Sequence, residues 1–135
     1  VRAFPDSLHI FAPLKIIKLN NRSVENYAPF KIKADDYYLI KAEIELLPEY
    51  MMLFAKHGYE PNGYCWEGHI IQILEKVNPD LLAHIEFDPE AGGFYAVADS
   101  EASQLAFVHT LSPIFQDMET LEAYIRTADR ERVDD

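Results

Sequence analysis

The hydrophobic pattern of this chain changes period near Pro48. Before it, apolar residues recur at every second position. Phe30, Ile32 and Ala34 alternate with Lys31 and Lys33, the signature of a half-buried strand. Asp35-Asp36 fits a hairpin turn. Tyr38, Ile40, Ala42 and Ile44 then share one face of a second strand over residues 37–45, opposite Lys41, Glu43 and Glu45. Upstream, residues 8–19 are rich in branched and aromatic side chains and read as extended, with Pro13 confining them to an edge. Residues 20–23 read as a turn or loop. These pieces predict an antiparallel meander.

From Pro48 the spacing becomes helical. Proline is tolerated in a first turn, and Leu47, Met51, Phe54 and Ala55 follow at helical intervals, with Gly58 placed to stop the helix. Pro61-Asn62-Gly63 marks a turn. A second helix is expected from Tyr64 or Cys65, with Trp66, Ile70, Ile73, Leu74 and Val77 on its apolar stripe and Gln72 off it. Asn78-Pro79 ends it, because a residue before proline disfavours helix, and residues 80–84 add a short turn. Ile85–Asp88 and Phe94–Ala98 predict a hairpin whose loop, Pro89 to Gly93, gives a glycine a positive φ. Asp99 or Ser100 caps a third helix carrying Leu105, Val108 and Leu111, with Ala102 and Phe107 beside them; Pro113 is expected to end or kink it. Asp117 caps a last helix with Leu121, Tyr124 and Ile125. The charged tail 129–135 is expected to fray. Strands first, then helices, a hairpin and more helices predict one α+β domain over 1–135, an antiparallel sheet with helices packed on one face.

Composition bounds this picture. At 135 residues the chain suits one domain, and 49% hydrophobic content supports a real core. Its single cysteine excludes an internal disulfide, so a reduced cytoplasm is the expected setting. No apolar run approaches the ~20 residues of a membrane span, and the first residues carry no apolar signal-peptide region. Net charge is −11. Residues 1–34 hold six basic and two acidic side chains, whereas the remainder holds six basic and 21 acidic. That imbalance argues against nucleic-acid binding and favours a basic partner met in a salt-sensitive encounter. Solubility alone also accounts for it.

The stretch 58–69 concentrates the unusual residues: the only Trp, the only Cys, three of the five glycines and two of the eight tyrosines. Cys65 and His69 are four apart and share a helix face, as a nucleophile pair or half a metal site would. A structural metal needs four ligands and no matching pair exists; Glu67 opposes a depressed thiol pKa, so a buried structural pair is the plainer account. Glu43 and Glu45 fit a solvated strand face. No nucleotide-binding, hydrolase or zinc-protease motif is present, which leaves no catalytic residues, metal or cofactor to assign. Trp66 fits a core anchor, or else an exposed anchor for a partner. Tyr59 and Tyr64, beside turn residues, fit surface recognition.

Gly58-Tyr59-Glu60-x-Asn62-Gly63-Tyr64-x-Trp66-Glu67, then Ile85-Glu86-Phe87-Asp88-Pro89-Glu90-Ala91-Gly92 and an aromatic strand, resembles the immunity protein 51 family, as does the ending from Ile114-Phe115 into an acidic helix. The resemblance covers about residues 28–128. It implies a small α+β protein encoded beside polymorphic toxins, including those of contact-dependent growth inhibition in bacteria. Its implied role is to neutralise a cognate toxin C-terminal domain in the cytoplasm, without being an enzyme. A basic nuclease is the expected toxin, since carboxylates complement a phosphate-holding cleft. Tyr59, Glu60, Tyr64, Glu67, Asp88 and Glu90 are the expected toxin contacts, and Trp66 the structural anchor. The rival readings are a small Cys65/His69-dependent enzyme and an acidic adaptor with a non-toxin partner.

Overall fold

A four-stranded antiparallel sheet is the floor on which the helices pack. The computed structural model describes residues 16–19, 22–33 and 37–135. In chain order the strands are β1 (Ile16–Leu19), β2 (Arg22–Glu25), β3 (Lys31–Lys33), β4 (Tyr38–Ala42), β5 (Ile85–Phe87) and β6 (Phe94–Ala98). The helices are α1 (Pro48–Lys56), α2 (Gly63–Val77), α3 (Glu101–Phe115) and α4 (Met118–Thr127), with 3-10 turns at Ile44–Leu46, Pro79–His84 and Arg130–Arg132. The sheet order is β3-β4-β6-β5, all antiparallel, and β1-β2 forms a separate hairpin. The fold is α+β, as the pattern predicts.

The period-two alternation of β4 and β6 decides which side of the sheet is covered. Ile40 pairs with Ala96 and Ala42 with Phe94, and these four are fully buried beneath α2 and α3. Their alternates Leu39, Lys41, Tyr95 and Val97 lie half-exposed on the other face. Trp66 of α2 sits at the centre, in ring contact with Phe30, Tyr50, Phe54, Phe94 and Phe115. Burying each such ring stabilises the fold by about 1.5–3 kcal/mol, and each aromatic pair adds about 0.5–1.5 kcal/mol. Trp66 Nε1 meets no hydrogen-bond partner among the described residues. The Tyr50 hydroxyl does, donating to the Phe115 carbonyl at 2.8 Å, and burial pushes its pKa up to about 12.

Several local expectations are corrected. Arg22 and Ser23, read as loop, lie in β2. Ile44 leaves the strand for a 3-10 turn. In α1 the buried face is Tyr50 and Phe54, while Ala55 is exposed. In α2, Val77 is 39% exposed, whereas Gln72 is buried. Ala102 of α3 is exposed, and the helix runs through Pro113 to Phe115. Positive φ belongs to Gly58 and to neither hairpin glycine. The turn at Asp35-Asp36, residues 8–15 of the expected first extended segment, and Asn20-Asn21 lie outside the described residues.

Two glycines set the corner between α1 and α2. Gly58 has φ +88, and the Tyr59 N–H reaches back to the Phe54 carbonyl at 3.1 Å, closing α1 with a left-handed cap. Gly63 opens α2 against the β5–β6 loop. A Cβ there would stand 2.1 Å from both the Glu90 and Gly93 carbonyl oxygens, which are backbone and cannot swing away. Gly63→Ala is therefore expected to cost about 3 kcal/mol, against about 1–2 kcal/mol for Gly58→Ala, which meets open space and pays only for its backbone. Urea denaturation checks this: the midpoint falls further for Gly63→Ala, with unchanged slope.

Candidate functional site

The corner at the start of α2 meets two distant segments, the β5–β6 loop and the C-terminal tail. Asn62 caps the helix, its Oδ1 accepting from the Cys65 N–H at 2.9 Å. The Gly63 N–H donates to the Glu90 carbonyl at 3.1 Å, so the corner rests on the hairpin loop. The Asn62 side-chain amide donates to the Asp135 carbonyl at 3.0 Å, and the Asp135 carboxylate accepts from the Glu60 N–H at 2.8 Å. On the hairpin's other flank, the Glu45 carboxylate lies 2.8 Å from where a Cβ on Gly92 would sit.

The tail expected to fray is thus docked. Val133 is 6% exposed and packs on Gly68, where an added Cβ would stand 3.0 Å from its Cα. The buried Gln72 amide bonds both the N–H and the carbonyl of Asp129, which explains why a polar residue of α2 faces inward. Arg132 grips Glu75 with both guanidinium nitrogens. Arg130 lies 4.2 Å over the Tyr59 ring and also reaches Asp135 and the Gly58 carbonyl.

The expected contact residues fall as follows. Glu60 and Tyr64 at the corner, and Asp88 and Glu90 on the hairpin, are exposed, and Glu67 is half-exposed. Tyr59 is not available as a surface tyrosine: it is 7% exposed, between the His69 ring and the Arg130 guanidinium. Trp66 is fully buried, which selects the core-anchor reading over the exposed one. Asp134 and Asp135 join this end without having been singled out, and Glu45, read as a solvated strand-face acid, lies in the 3-10 turn and reaches Gly92 of the hairpin loop. Only the charge of the tail hinted at Asp134 and Asp135. Burial and the neighbouring Asp134 raise the Glu67 pKa, a sign of carboxylates crowding one another. Arg130 lies in the same tail and is engaged with Asp135.

The Cys65/His69 pair is sealed in the core at 0% and 1% exposure. His69 Nδ1 lies 2.9 Å from the Cys65 carbonyl, an acceptor only, so Nδ1 carries the proton. Nδ1 stands 3.7 Å from Sγ, and Nε2 has no partner among the described residues. Burial raises the thiol pKa and lowers that of the imidazole. Both effects hold the pair neutral, the reverse of what a thiolate nucleophile needs. No group of three or more metal-ligating side chains converges among the described residues. A groove of about 500 Å³ between α2 and α4, lined by Lys76, Thr120 and Tyr124, lies apart from the corner. No helix among the described residues is long and apolar enough to cross a membrane.

On this small α+β scaffold the carboxylates stand at the surface and the thiol and imidazole lie inside the core. The immunity protein 51 family matches residues 31–130, and the chain belongs to that family. The family gives it an immunity role, points to a non-enzymatic one, and implies a partner toxin. Neither the curated proteins nor the solved structures compared give a match.

The docked tail carries a pH signature. The Glu60 N–H first, and Arg130 after it, lower the Asp135 pKa below its ordinary 3.8. A depressed carboxylate stabilises fully above its unfolded value and loses that contribution as pH falls through the folded one. Asp135→Asn is expected to lower the thermal midpoint modestly at about pH 7 and by less at about pH 2, since the exposed pair is screened. Paired calorimetric scans of the two proteins measure the difference.

Proposed function

We propose that this chain neutralises the C-terminal domain of a bacterial toxin by laying its carboxylate-rich corner over a basic surface of that domain, a nuclease cleft being the best fit. The observation that carries the reading, beside the family, is a set of carboxylates on the elements of this corner: Glu60 before the capped start of α2 and its exposed Tyr64, Glu67 with Asp134 beside it, and Glu90, with Asp88, on the hairpin whose loop Gly63 meets. A nuclease holds phosphate with Lys and Arg, and fixed carboxylates complement that field, speed encounter and occupy the substrate's place. Tyr64, 41% exposed, would supply an aromatic contact beside the carboxylates. The setting would be the cytoplasm of a cell in a contact-dependent growth inhibition system.

The test is co-expression with the polypeptide encoded immediately upstream. Growth rescue and co-purification support the reading; a harmless neighbour, or a toxic one unaffected by this chain, ends it. Glu60→Lys combined with Glu90→Lys is expected to weaken binding by at least about tenfold at low salt and by less at high salt. Titration calorimetry at two ionic strengths reads this. Cys65→Ala, by contrast, is expected to leave protection intact; abolished protection in a folded variant would favour the Cys65/His69 enzyme instead.

A further inference from the structure

The two most exposed large apolar side chains of the described residues belong to neighbouring elements. Leu46, in the turn before α1, is 71% exposed, and Met52, on the outer face of α1, is 72% exposed. Glu49, Met52 and Lys56 follow at helical spacing along one exposed stripe, the side opposite the buried Tyr50 and Phe54. Met51 and Leu53 flank it half-buried. Lys56 is already paired with Glu122 at 2.8 Å, and the exposed acids Glu45 and Glu49 flank Leu46 and precede Met52 in sequence. Glu45 in turn touches the hairpin loop at Gly92, so this apolar face adjoins the carboxylate corner.

We infer that Leu46 and Met52 are the apolar anchor of the toxin interface, seated in an apolar pocket of the toxin domain whose rim is basic. The inference rests on the immunity reading above and extends it from the corner to the outer face of α1. Charge decides the occupant. A second copy of this chain would bring Glu45 and Glu49 against their own kind, and an anionic membrane meets the same repulsion. A basic protein surface meets attraction. Binding energy then divides in the usual way. Carboxylates at the rim govern encounter, and the desolvated apolar centre governs residence time. Methionine suits the centre, being unbranched and polarisable, and is enriched at interfaces.

The experiment compares wild type with Leu46→Ala/Met52→Ala, and with Met52→Lys, against the purified C-terminal domain of the upstream polypeptide by surface plasmon resonance. Both side chains are exposed, so thermal midpoints close to wild type are expected and are measured first. The double variant should dissociate at least about thirtyfold faster with an unchanged salt slope, and Met52→Lys faster still, because it adds like charge to the rim. Wild-type binding with unaltered dissociation of both variants overturns the inference and leaves the immunity reading standing. A wild type that does not bind overturns both. A concentration-dependent dimer in sedimentation that the double variant abolishes also overturns it, in favour of a second copy as occupant.

Discussion

The arrangement depends on how closely the start of α2 approaches the β5–β6 loop. Two backbone oxygens, those of Glu90 and Gly93, stand where any Cβ on residue 63 would have to be. Glycine at that position lets the helix begin against the sheet, and Asn62 then caps it. With the helix axis set there, Trp66 falls one turn later into the ring of Phe30, Tyr50, Phe54, Phe94 and Phe115. The same contact sets Glu90 against Gly63, the residue before the exposed Tyr64. Core and corner are two results of one close packing.

The functional reading fits what the molecule does with its reactive groups. The one thiol and its histidine neighbour are held neutral inside the core, and charge is kept at the surface, where it can meet a partner. An immunity protein needs complementarity and persistence more than catalysis. The surface proposed for the toxin is carried by helix α1, the capped start of α2 and a short hairpin loop, regular elements that can hold side chains in place.

Much of the fold was legible because its signals are local. Pro48, Gly58, Asn78-Pro79, Ser100 and Asp117 mark helix ends through their own backbone chemistry, and alternation in β4 and β6 marks the covered face. Features settled by distant partners were not legible. Pro113 costs its helix about 3 kcal/mol, yet α3 continues because Phe115 beyond it is fully buried and its carbonyl holds the Tyr50 hydroxyl. Gln72 reads as surface until Asp129 satisfies both ends of its amide. Tyr59 looks like a turn tyrosine until Arg130 covers it. Of the site, the corner and hairpin motifs were visible as sequence blocks, while Glu45 and the tail carboxylates joined them only through contacts in space.

The stitching of the tail to the corner also orders events in time. Glu60 and Asp135, joined by a hydrogen bond, are 75 residues apart, and Gln72 and Asp129 are separated by 57. A ribosome adding roughly 5–20 residues per second leaves on the order of 4–15 s between emergence of the corner and arrival of the segment that closes it. During that interval the nascent chain holds Tyr59 without its guanidinium cover and the Gln72 amide without its Asp129 partners. The finished corner therefore waits on the segment from Asp129 to Asp135, and a chain stalled short of Asp129 carries the 58–69 stretch without the clamp that shapes it.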